Sequence, residues 1–276
     1  MVIKDFEHLR IKHNQTINLL DYDSRIPAGE ADVDEGALVQ GVQKMGDKLD
    51  KLQTLLYAGK ERGLLLVLQG MDTAGKDGSI RRVFSHVSPL GVRAEAFGPP
   101  STKELEHDFL WRIHPLTPAL GEIVIFNRSH YEDVLVTRVK GLISKEICQQ
   151  RYEDIRSFES LLSRQGIKVL KCFLHISKGE QKKRLRDRLE DPNKRWKLQP
   201  SDFEDRKLWD QFQEAYCNAI KETSTNEAPW YIIPADSKLY RDFCLSTLLV
   251  KVLEDMNLEP PKAKFDFTKL QIESLN

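Results

Sequence analysis

Short apolar runs alternate with longer amphipathic stretches along this chain. The run from Leu64 to Leu68 is long enough for a strand that is buried on both faces, and it is too short for most helices. Further strands are predicted at 92–97, 122–126, 167–175 and 229–233, although Lys168 and Lys171 interrupt the apolar pattern of the fourth strand. Because strands that alternate with helices need right-handed crossovers, the pattern predicts an α/β fold with a parallel five-stranded sheet flanked by helices.

Between these strands, apolar residues recur at spacings of three and four. Leu38, Val42 and Leu49 lie on one face of such a pattern, which predicts an amphipathic helix that ends near Gly59. Further helices are predicted after the loop at 70–76, at 104–111 behind an N-cap at Ser101 or Thr102, at 144–165, from 177 onward, behind a cap at Ser201-Asp202, and at 240–253.

The segment from Gly70 to Lys76 directly follows the first predicted strand and has the spacing Gly-x-x-x-x-Gly-Lys. This is the spacing of a phosphate-binding loop, in which backbone N–H groups turn inward around phosphate oxygens and the lysine bridges the outer phosphates. The alternative is a glycine-rich turn without a ligand. The residues predicted to bind phosphate here are Gly70, Thr73, Ala74, Gly75, Lys76, Asp77 and Gly78.

Two carboxylates in this loop bear on metal binding. Asp77 stands where a serine or threonine hydroxyl normally binds Mg²⁺. Asp72 lies inside the loop, where a bound polyphosphate would repel it unless a cation lay between them. We therefore predict Asp72 as a ligand of Mg²⁺ or Mn²⁺ and, with Lys76, as a catalytic residue.

A polar cluster follows the third strand, at the edge where a parallel sheet presents its active site. Arg128 directly follows the buried strand and is predicted to act on phosphate. Asn127 is neutral where a carboxylate normally completes the Mg²⁺ site, so Glu132 or Asp133 could supply the charge directly or through water. The alternative is that both acids only favour the start of a helix through its dipole.

Cations are frequent near the predicted phosphate edge, and each of them taken alone is a candidate for an ordinary surface charge. The additional predicted phosphate ligands are Arg81, Arg93, Lys103, Arg112 and Arg138. The segment at about 186–203 is bounded by helix breakers and predicts a helical lid that closes over phosphates, with an ordinary polar surface loop as the alternative. Its predicted contacts are Arg188, Lys194, Arg195 and Lys197. Together these cations exceed what one nucleotide needs, which suggests a longer polyanion.

Composition limits the class of protein. Lys+Arg and Asp+Glu are both 42 among 276 residues, which argues against general binding to nucleic acid or membrane surfaces. The sequence shows no apolar run of membrane-spanning length and no signal peptide, and its four cysteines form no C-x-x-C pair, so we expect a cytoplasmic protein. The expected organisation is an N-terminal arm at 1–34, a P-loop domain at 35–257 and a C-terminal tail at 258–276.

Three ordered motifs, at 70–78, 126–135 and 191–198, resemble the Walker A, Walker B and lid motifs of the polyphosphate kinase 2 family. The segments 108–114 and 229–236 are similar too. The aspartate after the Walker lysine makes the match specific. The resemblance therefore covers about 35–257.

The resemblance implies a P-loop kinase-like fold and reversible, Mg²⁺-dependent transfer of phosphoryl groups between inorganic polyphosphate and nucleotides. Asn127 followed by Glu132 resembles the short single-domain class III, whose members phosphorylate both AMP and ADP. A basic channel for polyphosphate and oligomers of the same chain, dimers or tetramers, are implied as well. The alternatives are a nucleoside or nucleotide kinase that uses ATP as donor, and a catalytically silent binding protein.

Overall fold

A computed structural model describes residues 7–28 and 33–262, and in these ranges the strands form one parallel sheet. The strand order is β2-β3-β1-β4-β5. The bounds are Gly63–Gln69 for β1, Val92–Ala96 for β2, Ile123–Asn127 for β3, Ile167–His175 for β4 and Trp230–Pro234 for β5. The predicted parallel five-stranded α/β fold is confirmed.

Helices cover both faces of this sheet. Their bounds are Glu35–Gly59 (α1), Lys76–Val83 (α2), Thr102–Leu105 (α3), Glu132–Val139 (α4), Lys145–Arg164 (α5), Lys178–Glu190 (α6), Pro200–Lys207 (α7), Trp209–Thr223 (α8) and Lys238–Glu254 (α9). Helices α1, α2 and α9 pack together on one side, and α4, α5 and α8 pack together on the other. None of the described helices combines the length and the apolar character needed to cross a membrane.

The burial of the central strand, β1, explains why a continuous apolar run predicted this strand correctly. Every residue of β1 is buried, because β3 and β4 pair with its two edges and helices cover its two faces. Leu68 lies opposite Asn127 on one side and Cys172 on the other. This register brings the carboxyl ends of β1 and β3 side by side. The segment 70–76 and the polar cluster after the third strand begin at these two ends.

The N-terminal arm covers the outer edge of β5. Ile11 donates its N–H to the Trp230 carbonyl at 2.8 Å, and Ile232 donates to the Leu9 carbonyl at 2.9 Å. Leu9 and Ile11 are themselves buried. The arm therefore satisfies an exposed strand edge and contributes to the core. Parts of the predicted arm, 1–6 and 29–32, and most of the predicted tail, 263–276, lie outside the described residues.

Two local predictions were wrong. The helix expected at 104–111 is a single turn, Thr102–Leu105, capped by Ser101. The chain then turns because the Asp108 carboxylate accepts the N–H of Leu110, which competes with helix continuation. The second error is at α7, which begins at Pro200 behind a cap at Gln199, so the predicted cap residues Ser201-Asp202 are helical.

Replacing Ile11 by alanine tests whether the arm belongs to the core. The side chain is fully buried, so Ile11→Ala should lower the free energy of unfolding by about 2–5 kcal/mol. Leu20→Ala in the same arm is the control, because Leu20 is 91% exposed and its loss should cost less than about 0.5 kcal/mol. Urea unfolding of both variants measures the difference, and equal effects would contradict the arm's role in the core.

Candidate active site

A cleft of about 590 Å³ opens at the carboxyl ends of β1 and β3. The loop after β1, the start of α2 and the segment from the end of α6 to α7 border it. The parallel sheet brings these elements together because its strands all end at the same edge. The residues singled out in the sequence that line it are Asp72, Thr73, Gly75, Lys76, Asp77, Gly78, Arg81, Asn127, Arg128, Arg188, Lys194 and Lys197.

The loop after β1 ends at Gly75, which caps α2 with a φ of +105°. A Cβ atom here would lie 2.0 Å from Arg241 Nη1, so both the backbone conformation and the available space require glycine. Lys76 follows, and its Nζ donates to the Gly70 carbonyl at 2.7 Å. Burial and the nearby charge of Arg128 lower the pKa of the Lys76 ammonium. The loop thus holds a poorly solvated cation beside the cleft, where phosphate oxygens would replace its lost hydration.

The carbonyl oxygens of this loop are held from behind by long polar side chains. Arg184 Nη1 donates to the carbonyls of Thr73 at 3.0 Å and Ala74 at 3.1 Å. Arg241 Nη1 donates to the Ala74 carbonyl at 3.0 Å, and Gln181 Nε2 to the Asp72 carbonyl at 3.2 Å. Because the C=O and N–H of one peptide point in opposite directions, the N–H groups of Thr73 and Gly75 lie opposite these bonds, whereas the Ala74 N–H donates to the Met71 carbonyl at 3.0 Å. This is the arrangement that an anion-binding loop needs.

Arg241 is in turn fixed by a buried carboxylate. Asp242 accepts from Arg241 Nε at 2.9 Å, from Ser79 Oγ at 2.6 Å and from Arg82. Ser79 and Arg82 lie on α2, so this carboxylate ties α9 to the helix that begins at the phosphate loop. The network therefore fixes the position of the loop relative to both helices.

The tip of β3 places Arg128 at the cleft, and the helix that follows it places Glu132 nearby. Arg128 adopts a left-handed φ of +64° and donates from Nη2 to Asp72 Oδ1 at 2.8 Å. Burial raises the pKa of the Glu132 carboxyl above its ordinary value, against the opposing charges of Arg128 and Lys76. Glu132 thus lies within electrostatic reach of both cations, although it is not among the residues that line the cleft.

The carboxylates present fit a Mg²⁺ ion that is shared with substrate. Asp72 and Asp77 both line the cleft, and Asn127 Nδ2 donates to Asp77 Oδ1. Within the described ranges, no three acidic, histidine or cysteine side chains form a cluster able to hold a metal by themselves. Mg²⁺ commonly binds through one or two carboxylates together with waters and substrate phosphates, which this arrangement matches.

The segment after α6 borders the open side of the cleft. Lys194 pairs with Asp191 at 2.6 Å, and the Lys197 ammonium lies 5.0 Å from the ring centre of Trp196. Trp196 is 73% exposed. On α7, Arg206 donates to Gln181 Oε1 at 2.7 Å, so Gln181 contacts both the phosphate loop and α7.

Comparison with known proteins agrees with this geometry. The family model for Polyphosphate kinase 2 matches residues 33–261. The chain belongs to the polyphosphate kinase 2 family. The resemblance found from the motifs is therefore confirmed.

Individual relatives cover most of the chain. It is 51% identical over 237 residues to the AMP/ADP-polyphosphate phosphotransferase of Meiothermus ruber, a match that spans 86% of this chain and 89% of that protein. It is 40% identical over 228 residues to the ADP-polyphosphate phosphotransferase of Rhodopseudomonas palustris, across 78% and 79% of the two chains. The crystal structure of polyphosphate kinase 2 from Arthrobacter aurescens TC1 matches with a TM-score of 0.90 and 41% identity, covering 94% of this chain and 92% of that one.

In this polyphosphate kinase 2 chain, several predicted phosphate ligands lie away from the cleft. Arg93 pairs with Glu95 at 2.6 Å and donates to the Thr117 carbonyl. Lys103 lies 5.7 Å from the ring centre of Trp111. Arg138 lines a separate cavity of about 540 Å³ between α4, α5 and α8. These side chains lie in or after strands β2 and β3 in sequence, but none of them lines the cleft.

Arg112 and Asp133 form a structural pair behind the cleft. Arg112 donates to the Gly98 carbonyl at 2.9 Å, and its Nη2 lies 3.5 Å from Asp133 Oδ2. Arg151 approaches the same carboxylate at 3.9 Å. Burial raises the pKa of Asp133, and the two arginines oppose that shift. Arg195, predicted as a lid contact, donates to the Leu189 carbonyl and does not line the cleft.

Sequence reasoning missed other residues around the site. Arg184, Lys238, Arg241 and Asp202 all line the cleft, and none was predicted there. Tyr216 on α8 is buried, and burial together with the carboxylates of Glu132 and Asp72 raises its pKa well above the ordinary value. One signal was available for Arg241, because Arg241-Asp242 interrupts an otherwise apolar stretch of α9. Buried charges in such a position need partners, and here the partners belong to the phosphate loop.

Gly75→Ala tests the constraint on the phosphate loop. The positive φ and the clash with Arg241 should lower the free energy of unfolding by about 1–3 kcal/mol or more, and phosphate-ligand binding should weaken. Gly179→Ala in the first turn of α6 is the control, since its Cβ would meet only Ser177 Oγ at 3.8 Å, and it should be neutral or stabilising by up to about 1 kcal/mol. Urea unfolding with and without tripolyphosphate measures both effects. Equal stability of the two variants would show that the loop tolerates a side chain.

Proposed function

We propose that this chain transfers the terminal phosphoryl group of inorganic polyphosphate to AMP or ADP. The observation that carries the proposal is an anchored phosphate loop facing a strongly basic cleft, in a chain of the polyphosphate kinase 2 family. The names of the relatives from Meiothermus ruber and Rhodopseudomonas palustris support polyphosphate as donor and nucleotides as acceptors.

In this reaction, an oxygen of the terminal nucleotide phosphate attacks the terminal phosphorus of polyphosphate. The bond from that phosphorus to its bridging oxygen breaks, and polyphosphate leaves one unit shorter. Such a transfer needs alignment and charge neutralisation more than covalent help from the protein. Lys76 and Arg128 would neutralise the oxygens around the transferred group, and the loop N–H groups would align the phosphate chain.

Asp72 is our proposed ligand of Mg²⁺ or Mn²⁺, with Asp77 beside it. A bound divalent cation would neutralise phosphate oxygens and reduce the repulsion between donor and acceptor. Arg128 holds Asp72 Oδ1, which orients this carboxylate toward the cleft. Assembly into dimers or tetramers, cytoplasmic location, and the absence of nucleic-acid and membrane partners stay predictions.

The decisive experiment mixes the protein with Mg²⁺, long-chain polyphosphate and AMP or ADP, without ATP. Formation of ADP or ATP supports the proposal, and Lys76→Ala should abolish it while remaining folded, because the lysine serves phosphate charge. Turnover only with a nucleoside triphosphate donor would indicate an ATP-dependent nucleoside or nucleotide kinase. Binding without turnover would indicate a regulator.

Neutralising two lid cations should weaken polyphosphate use selectively. The double variant Arg188→Gln/Lys197→Gln removes charge from the cleft, so we expect KM for polyphosphate to rise about tenfold or more, with weaker salt sensitivity and nearly unchanged nucleotide binding. Lys183→Gln/Lys207→Gln is the matched control, because both lysines are exposed, pair within their own helices and lie outside the cleft. Steady-state kinetics at two salt concentrations measure the contrast. Equal losses for both substrates would identify the segment as an ordinary surface loop.

Glu132→Gln should depress AMP phosphorylation more than ADP phosphorylation. AMP leaves the gap to the polyphosphate terminus one phosphate wider, so a water or cation ordered by this carboxylate matters more for AMP. Glu146→Gln is the control, since Glu146 is also an acid in the first turn of a helix but belongs to α5. Steady-state rates with each acceptor at saturating Mg²⁺ measure the ratio. Parallel losses would indicate a general role in charge, and no loss would indicate a helix-start residue.

A further inference from the structure

A cluster of charged and polar side chains is completely buried beneath the turn that joins β3 to α4. Lys171 on β4 pairs with Glu159 on α5, with 2.5 Å between Nζ and Oε2. Tyr131, the residue before α4, donates its hydroxyl to Glu159 Oε1 at 2.8 Å. Thr223 and Trp230 complete the cluster from α8 and β5. Five different elements therefore meet at the Tyr131 hydroxyl and its neighbours.

The hydrogen bonds of the cluster are saturated at its centre. Lys171 uses its three donors on Glu159 Oε2, the Tyr131 hydroxyl at 3.1 Å and the Thr223 carbonyl at 2.7 Å. Although burial opposes ionisation, the Lys171 ammonium holds the pKa of Glu159 below its ordinary value. The two groups therefore form an ion pair inside the core, fixed in direction by the hydroxyl between them.

Stability alone is a weak reason for such a pair. Desolvation of two charges offsets much of their attraction, and apolar side chains of similar volume often replace buried pairs without loss of stability. A connected polar network does, however, define one arrangement of the elements that it joins, although the buried His130 ring, 3.5 Å from Glu159 Oε1, makes no hydrogen bond with any described residue. The network matters because it fixes the relative positions of the elements that it joins. One of these is the turn from β3 to α4, which leads into the cleft.

Tyr131 connects the cluster to the strand–helix turn. Its own N–H donates to Ser129 Oγ at 3.2 Å, and Gln69 Nε2 from β1 donates to the same hydroxyl at 3.2 Å. Arg128, at the start of this turn, has the left-handed φ of +64° that a non-glycine residue rarely adopts. Such a conformation persists only where its surroundings determine it, and Glu132 follows Tyr131 directly.

We propose that Tyr131, anchored on the buried Glu159–Lys171 pair, is a positioning residue that sets the orientation of Arg128 and Glu132 for phosphoryl transfer. It touches neither substrate nor reacting atoms, because its ring and hydroxyl are fully buried. The Tyr131 N–H holds Ser129, which follows Arg128, and Tyr131 itself precedes Glu132. Loss of the Tyr131 hydroxyl therefore lets the turn relax and moves the Arg128 guanidinium and the Glu132 carboxylate together. The inference rests on the proposed transfer reaction only because kcat is one of the two measurements in its test.

The test is Tyr131→Phe, which removes the hydroxyl and keeps the ring packed edge-on against Trp230 at 4.8 Å. We expect kcat to fall about 10- to 100-fold, because small misplacements of aligned groups have effects of that size, while KM for polyphosphate and nucleotide changes less than about twofold. Tyr152→Phe is the matched control, since Tyr152 is also a buried tyrosine but lies on α5 beside Cys148. Its kcat should be unchanged.

Hydrogen exchange of the peptide that covers 127–132 supplies a readout independent of catalysis. Tyr131→Phe should accelerate exchange there, and Tyr152→Phe should not. A lower kcat without faster exchange, faster exchange without a lower kcat, or a change confined to KM would overturn the inference. If the wild-type protein transfers no phosphate, the proposed function fails and exchange alone decides the positioning role. Should Tyr131→Phe not fold, the double variant Glu159→Gln/Lys171→Met takes its place, because it leaves no unpaired charge in the core. A smaller fall in kcat is expected there, because an acceptor for the Tyr131 hydroxyl remains.

Discussion

A loop that binds phosphate through its N–H groups must place its carbonyl oxygens somewhere else. In this chain those oxygens face α6 and α9, where Arg184, Arg241 and Gln181 donate to them. Arg184 also donates to the carbonyls of Ala235 and Asp236, which follow β5. The Arg184 guanidinium therefore joins the phosphate loop to the connection that follows β5, the strand at one edge of the sheet. Helix α9 and the β5 connection are accordingly parts of the site, although they contribute little to its visible surface.

The charge of the cleft shows why the zero net charge of the whole chain does not predict the ligand of this site. Ten cations line the cleft in the described part of the chain: Lys76, Arg81, Arg82, Arg128, Arg184, Arg188, Lys194, Lys197, Lys238 and Arg241. Four carboxylates face them: Asp72, Asp77, Asp187 and Asp202. Low-dielectric walls strengthen such a concentration of positive charge. A long polyanion is the ligand that this surface favours, whereas the net charge of zero describes only the sum over all surfaces.

Sequence alone predicted the sheet and the loop well, for a physical reason. A parallel strand buried on both faces needs a continuous apolar run, and β1 and β3 both have one. The direction in which a long lysine or arginine side chain points is not encoded by such a local pattern. Arg93 lies within β2 and Arg112 lies between β2 and β3, yet they pair with Glu95 and Asp133 and do not line the cleft. Arg184 shows the same limit from the other side, since nothing in the basic run of α6 distinguishes the one buried arginine from its exposed neighbours.

The contact between Asn127 and Asp77 resolves an apparent lack of charge at the strand tip. In the usual arrangement a hydroxyl follows the Walker lysine and a carboxylate stands at the strand tip, and both contribute to the Mg²⁺ site. Here the carboxylate follows the lysine and an amide stands at the tip, and the amide donates to the carboxylate. One negative charge and one neutral hydrogen-bonding group are therefore retained, with their positions exchanged. Glu132 then lies within reach of the charges of Lys76 and Arg128, which oppose the rise in its pKa that burial causes.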